Sequence, residues 1–258
     1  MRLTLPASSL ADAQASTGWL RYASPSAFYG LAGRMVPWFW GAAALLGTVG
    51  LVAGLLVAPS HFQQGDAYRI IFINVPAAWM AMIIYSTMAV LAGLGLMRNW
   101  PLATMLVAAL APTCALMTFI ALWTGALWDK PVWGVWRIWD ARLQSQLLLL
   151  LLCVGFLVLR AASTELRRVD RLGAVVLLMG AANVPILYLS MPSWNVLQGG
   201  VSTDAPVEPG MFTVKLGMLL MVAAFLAWSV AVGLHRVRSI ILEQQIDSDW
   251  VRELPEAN

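Results

Sequence analysis

The chain has 258 residues, 60% of them hydrophobic and only 11% charged, with a mean hydropathy of +0.75. A soluble domain carries about a quarter charged residues, so this composition excludes a soluble globular enzyme. It also excludes a disordered chain, which needs low hydrophobicity and high charge. A net charge of +3 spread over the whole length forms no basic stripe, and that excludes a nucleic-acid binder.

Residues 1–37, rich in Ala, Ser and Pro, read as a short N-terminal arm. Six apolar runs follow, at 38–58, 75–97, 102–124, 143–159, 172–190 and 212–234. A bilayer-spanning helix takes about 20 residues, and lipid offers no partner for unpaired backbone groups, so each run is expected to be a helix. The alternating pattern of a membrane barrel is absent. The expected fold class is an all-α integral membrane protein with six transmembrane helices. Its domain organisation is the arm at 1–37, a membrane domain at 38–234 and a tail at 235–258. The first run is long enough to stay in place as a helix rather than be removed as a leader.

Orientation follows from the basic residues. The stretches 1–37, 98–101, 160–171 and 235–258 hold eleven, all arginine; the alternate stretches 59–74, 125–142 and 191–211 hold four, namely Arg69, Lys130, Arg137 and Arg142. The positive-inside rule then expects both termini in the cytoplasm and the longer loops on the other side of the membrane.

The spans themselves are poor in chemistry. Lys215 is the one charge inside a run, near enough to its end to snorkel outward. Intramembrane acids, the usual mark of an ion pathway, are missing. Pro76, Pro112 and Pro185 are expected to kink or start helices, and Gly47, Gly50 and Gly54 to form a packing face. Cys114 and Cys153, 39 positions apart, make no metal or haem-attachment motif and read as small packing residues.

The unusual residues lie in the second outer loop, 125–142. Of 13 tryptophans in the chain, Trp123, Trp128, Trp133, Trp136 and Trp139 fall within seventeen residues. An interfacial aromatic belt is one reading. The other is an aromatic shelf: a helical turn would align Trp133, Trp136 and Asp140, and with Lys130, Arg137 and Arg142 beside them it would suit a flat hydrophobic anion.

The run from Trp133 through Val135, Trp136, Arg137, Trp139, Asp140 and Arg142 resembles the tryptophan-rich "WWD" signature of haem-handling proteins. It is most similar to the cytochrome c maturation protein C (CcmC) family. Tyr68 to Trp79, Thr118 to Pro131 and Trp194 to Leu197 resemble that family's other landmarks, in order, so the likeness runs from about Val36 to Leu254.

The resemblance implies haem binding and delivery, not enzymatic catalysis. Haem, non-covalent haem b, would be held at the periplasmic face and passed to the chaperone CcmE. The ABC-type subunits CcmA and CcmB, the small membrane protein CcmD and membrane lipid are the further partners implied. Trp128, Trp133, Trp136, Trp139 and Asp140 would form the platform, and Arg69, Arg137 or Arg142 would pair the propionates, a role that suits guanidinium geometry.

The sequence departs from the family at its iron ligands. Asn74 stands where the pattern has histidine before Val-Pro-Ala-Ala, and Gln198 where it has histidine after Trp-Asn-x-Leu. Amides are far poorer ligands for haem iron than imidazole. His61, in the first outer loop, is the substitute to consider; Met191 is weaker, and His235 reads as a solvated helix end. The family's Arg-Leu-Thr-Ser-Glu is here Arg142-Leu143-Gln144-Ser145-Gln146. Two other readings stand beside haem delivery: a structural subunit of the same assembly that has lost haem ligation, and a transporter of another substrate.

Overall fold

The structure, a computed structural model, describes residues 24–59, 66–133, 141–162, 165–189 and 211–252, with backbone alone for 129–133, Leu166 and Met211. Every described element is helical: α1 (Pro25–Leu51) continued by a π-helical segment (Val52–Val57), a 3-10 segment (Asp66–Ile70), α2 (Ile71–Arg98), α3 (Pro101–Trp133), α4 (Ala141–Ala162), α5 (Leu166–Gly180), α6 (Asn183–Leu189), α7 (Met211–Gln244) and α8 (Asp249–Arg252). Six of the resulting spans are long and apolar enough to cross a membrane. The six-helix, all-α expectation is met.

The helices reach further than the apolar runs. α1 starts at Pro25 rather than Trp38, α3 continues to Trp133 rather than ending at 124, and α7 runs to Gln244, past 234. Apolar length reports what lipid requires, whereas a helix continues into polar residues wherever neighbouring helices support it. His235 accordingly lies inside α7, exposed on its surface, and not at a helix end. The fifth run is two helices. The break at Ala181–Ala182 precedes Pro185, which has no N–H to give the Ala181 carbonyl and whose ring crowds it.

α2 and α3 form the centre. Half of the apolar window in the second span and 56% in the third are buried, against 17% in the first. Asn99, in the left-handed conformation at φ 47°, and Pro101, the first residue of α3, turn the chain sharply between them. Their shared surface is built from small residues (Ala77, Ala81, Ala111 and Cys114) under the larger Met80, Tyr85 and Met88. Close backbone approach is how helices associate without a hydrophobic drive from water. α4, α5 and α6 cover one side, and α7 with α1 the other.

The glycine face of the first span packs as expected. A Cβ at Gly50 would sit 2.9 Å from Met221 Sδ, and one at Gly54 would sit 2.6 Å from Phe72 Cγ. Gly54 lies in the π-helical segment, where Ala58 N–H bonds back to Ala53 O at 2.8 Å. The extra residue per turn brings the side-chain-free position under the Phe72 ring. Trp38, Leu56, Met97 and Leu189 point outward, each at least 75% exposed, and lipid is the solvent such a surface requires.

Candidate functional site

One end of the bundle gathers the sequence-predicted residues that the structure describes. Asn74 is the fourth residue of α2, half-buried against α3. Its Nδ2 donates to the Ala121 carbonyl and to Thr124 Oγ1, both at 2.8 Å. The Thr124 hydroxyl in turn donates to the Ile120 carbonyl one turn back, at 2.6 Å. Asn74 thus staples the start of α2 to the C-terminal part of α3.

Gly125 follows, buried and without a side chain. A Cβ there would lie 3.4 Å from Asn74 Nδ2, 3.4 Å from Leu143 Cδ2 and 4.0 Å from Arg142 Nη2. The amide of Asn74 and the guanidinium of Arg142 therefore flank one backbone position. Arg142 is the second residue of α4, and its Cζ lies 5.7 Å from the centroid of the Trp128 ring. That is cation–π range. The indole N–H of Trp128 is buried with no hydrogen-bond acceptor among the described residues. An indole can only donate, so this group calls for an acceptor.

Arg69 sits in the 3-10 segment leading into α2, with Nε 3.1 Å from Asp66 Oδ1. The Asp66 carboxylate is 81% exposed, and an exposed pair of this kind contributes about 0–1 kcal/mol. A competing carboxylate can displace it. Trp133 closes α3 by its backbone. Trp136, Arg137, Trp139, Asp140, His61 and Gln198 lie outside the described residues, as does Met191. The expectation that 125–142 is a loop is corrected in part, because α3 carries Trp128 and Trp133 within a helix. Pro131 removes an amide donor from the final turn, which ends two residues later.

The arrangement suits a carboxylate better than it suits iron. A guanidinium and a buried indole N–H with its hydrogen unplaced are a fit for an anionic oxygen. The Asn74 nitrogen is committed to two oxygens on α3, and an amide oxygen is a far poorer ligand for haem iron than imidazole. No group of three or more metal-binding side chains exists among the described residues. Sequence reasoning missed Thr124 and Gly125. Their signal was slight: a hydroxyl and a glycine side by side at the end of an otherwise apolar run.

Known proteins are similar to this chain along nearly its whole length. The family model described as "CcmC: Heme exporter protein C" matches residues 18–252. The Heme exporter protein C of Escherichia coli is 40% identical over 233 residues, covering 90% of this chain and 94% of that protein. The Bradyrhizobium diazoefficiens protein of the same description is 37% identical over 88% of this chain and 86% of its own length. That of Haemophilus influenzae is 33% identical over 92% and 97%.

Proposed function

Because the chain belongs to the heme exporter protein C family, we propose that it binds haem at the end of the bundle marked by Asn74, Trp128 and Arg142 and passes it on for c-type cytochrome assembly. The observation that carries this reading is the Arg142 guanidinium over Trp128, whose own N–H is buried without an acceptor. Arg142 and Trp128 would take a propionate. The tryptophans at 133, 136 and 139, with Asp140, would lie under the porphyrin, and Arg69 and Arg137 are the further propionate partners. Haem is cargo here, non-covalent haem b bound and released unchanged, and no catalytic group is asked of the chain. The receiving face is periplasmic, the acceptor is CcmE, and CcmA, CcmB and CcmD are the partners within an inner-membrane assembly. In this organisation 1–37 and 235–258 are cytoplasmic and 125–142 is the haem-bearing segment.

A second reading is favoured by one observation. The Asn74 amide serves as a helix staple, so the position has a structural use that needs no iron. On that reading the chain is an assembly subunit that keeps the fold and has lost haem ligation.

Haem titration of the purified chain separates the two. The delivery reading expects a Soret band on adding haem, weakened about tenfold or more in apparent affinity by Arg142→Gln, the loss expected for a charged hydrogen-bond partner of about 1.5–3 kcal/mol. Asn74→His with Gln198→His should raise haem retention and give a low-spin spectrum, since imidazole supplies the axial bond that amides do not. No Soret band in the parent chain, with one in the double variant, would establish the structural reading.

A further inference from the structure

The opposite end of the bundle holds a cavity of about 1390 Å³, bordered by the Asn99–Pro101 turn, the ends of α4 and α5 and the C-terminal part of α7. Its walls are of two kinds. Phe156 and Val107 are buried apolar side chains, and Leu96, partly exposed, adds to the same apolar lining. The lining also carries five charged side chains, Arg160, Arg167 and Arg171 with Asp170 and Glu243.

The charges do not cancel evenly. Arg160 Nη1 lies 3.0 Å from Asp170 Oδ1, and both side chains are largely covered, so this pair is fixed and internally neutral. Arg167 and Arg171 are four residues apart on α5 and so share one face. They have no ion-pair partner among the described residues. Against the single carboxylate of Glu243 they leave a cationic excess at the mouth of an apolar hollow.

We propose that this cavity is a binding site for an anionic phospholipid, with the phosphate on Arg167 and Arg171 and acyl chain against Phe156, Val107 and Leu96. Guanidinium pairs phosphate oxygens in a planar, two-pronged fashion. Basic pockets between transmembrane helices are where anionic headgroups settle. A free phosphate would need the arginines alone; the apolar lining beside them is what an acyl chain would use. The site lies at the far end of the bundle from Asn74 and Arg142, so it stands or falls independently of haem binding.

Binding of fluorescent phosphatidylglycerol to the delipidated, detergent-solubilised full chain tests it. Each arginine near a lipid surface contributes enough that R167Q or R171Q should weaken binding about 5-fold and the double variant about 30-fold. R167K/R171K, which keeps the charge but not the two-pronged geometry, should weaken binding less than the double glutamine variant. Competition on the unaltered chain requires no variant to fold. Unlabelled phosphatidylglycerol should displace the probe, while phosphatidylcholine and millimolar inorganic phosphate should not. Equal displacement by phosphatidylcholine would mean an unselective lipid groove. Displacement by phosphate alone would mean a free-anion site, and tighter displacement by haem a porphyrin site. Any of the three overturns the proposal, as does unchanged binding by the double glutamine variant.

Discussion

Asn74 shows how a single residue can be legible in identity and illegible in role. The resemblance implies a histidine at this position, and the chain has an amide there. Its two hydrogen bonds to α3 depend on residues 47 and 50 positions away, and nothing local announces them. The expected consequence is energetic. Asn74→Ala leaves the Ala121 carbonyl without its second donor and Thr124 without its bridge, which should cost about 1–3 kcal/mol of stability. A denaturant or thermal melt in detergent measures this, and an unchanged midpoint would mean that the staple carries no load. Trp136 and Trp139, proposed to lie under the porphyrin, are outside the described residues and need their own test. Each indole buries a large flat surface, and losing one from a porphyrin contact should cost on the order of 1–3 kcal/mol. Trp136→Ala and Trp139→Ala should then lower haem occupancy at unchanged membrane levels. If both are silent while His61→Ala abolishes binding, iron ligation dominates and the tryptophans are an interfacial belt.

At the scale of elements, the apolar runs located all six spans because the bilayer imposes a length that composition must satisfy. Their ends were not legible, because beyond the lipid a helix is sustained by neighbours rather than by hydropathy. This changes what the tryptophans can do. Within α3, Trp123 and Trp128 are five residues apart and so lie on different faces. Trp123 is 58% exposed and stacked on Phe119 with ring centroids at 6.3 Å, while Trp128 turns toward Arg142. Trp123 is thus set apart from Trp128, the platform residue that meets Arg142. The cysteines went the other way. Two packing residues 39 positions apart prove to be neighbours, with Sγ atoms 3.1 Å apart across the α3–α4 contact. A membrane-permeant oxidant that accepts two electrons and two protons from the thiols should therefore link α3 to α4 within one chain. The measurement is a reducible shift in gel mobility, lost in Cys114→Ser and in Cys153→Ser. Oxidation that yields only dimers would mean that this pairing of helices is wrong.

For the whole molecule, the helix order puts the two candidate sites at opposite ends of one apolar slab. Asn74, Thr124 and Arg142 mark one end; the Asn99–Pro101 turn and the Arg160–Arg171 segment mark the other. Which end faces the cytoplasm is a question of charge and not of packing. Of the basic residues outside the spans, eleven fall on the side of both termini and four on the side of Arg142. The rule behind that count acts during insertion, on short loops near helix ends, and these loops are short enough for it to apply. The extension of α7 to Gln244 keeps Arg236 and Arg238 on the terminal side, so the helix ends do not disturb the asymmetry. Arg238 is also tied into the bundle there, with Cζ 4.4 Å from the centroid of Tyr29 in α1. Reporter fusions at Ser8 and Asn258 should therefore be cytoplasmic, and an insertion at Gly134 periplasmic. A cytoplasmic signal at Gly134 would place Arg142 and Trp128 on the wrong face for handing haem to a periplasmic chaperone. Delivery at that site would then be excluded, even though the fold, the family and the helix contacts would stand unchanged.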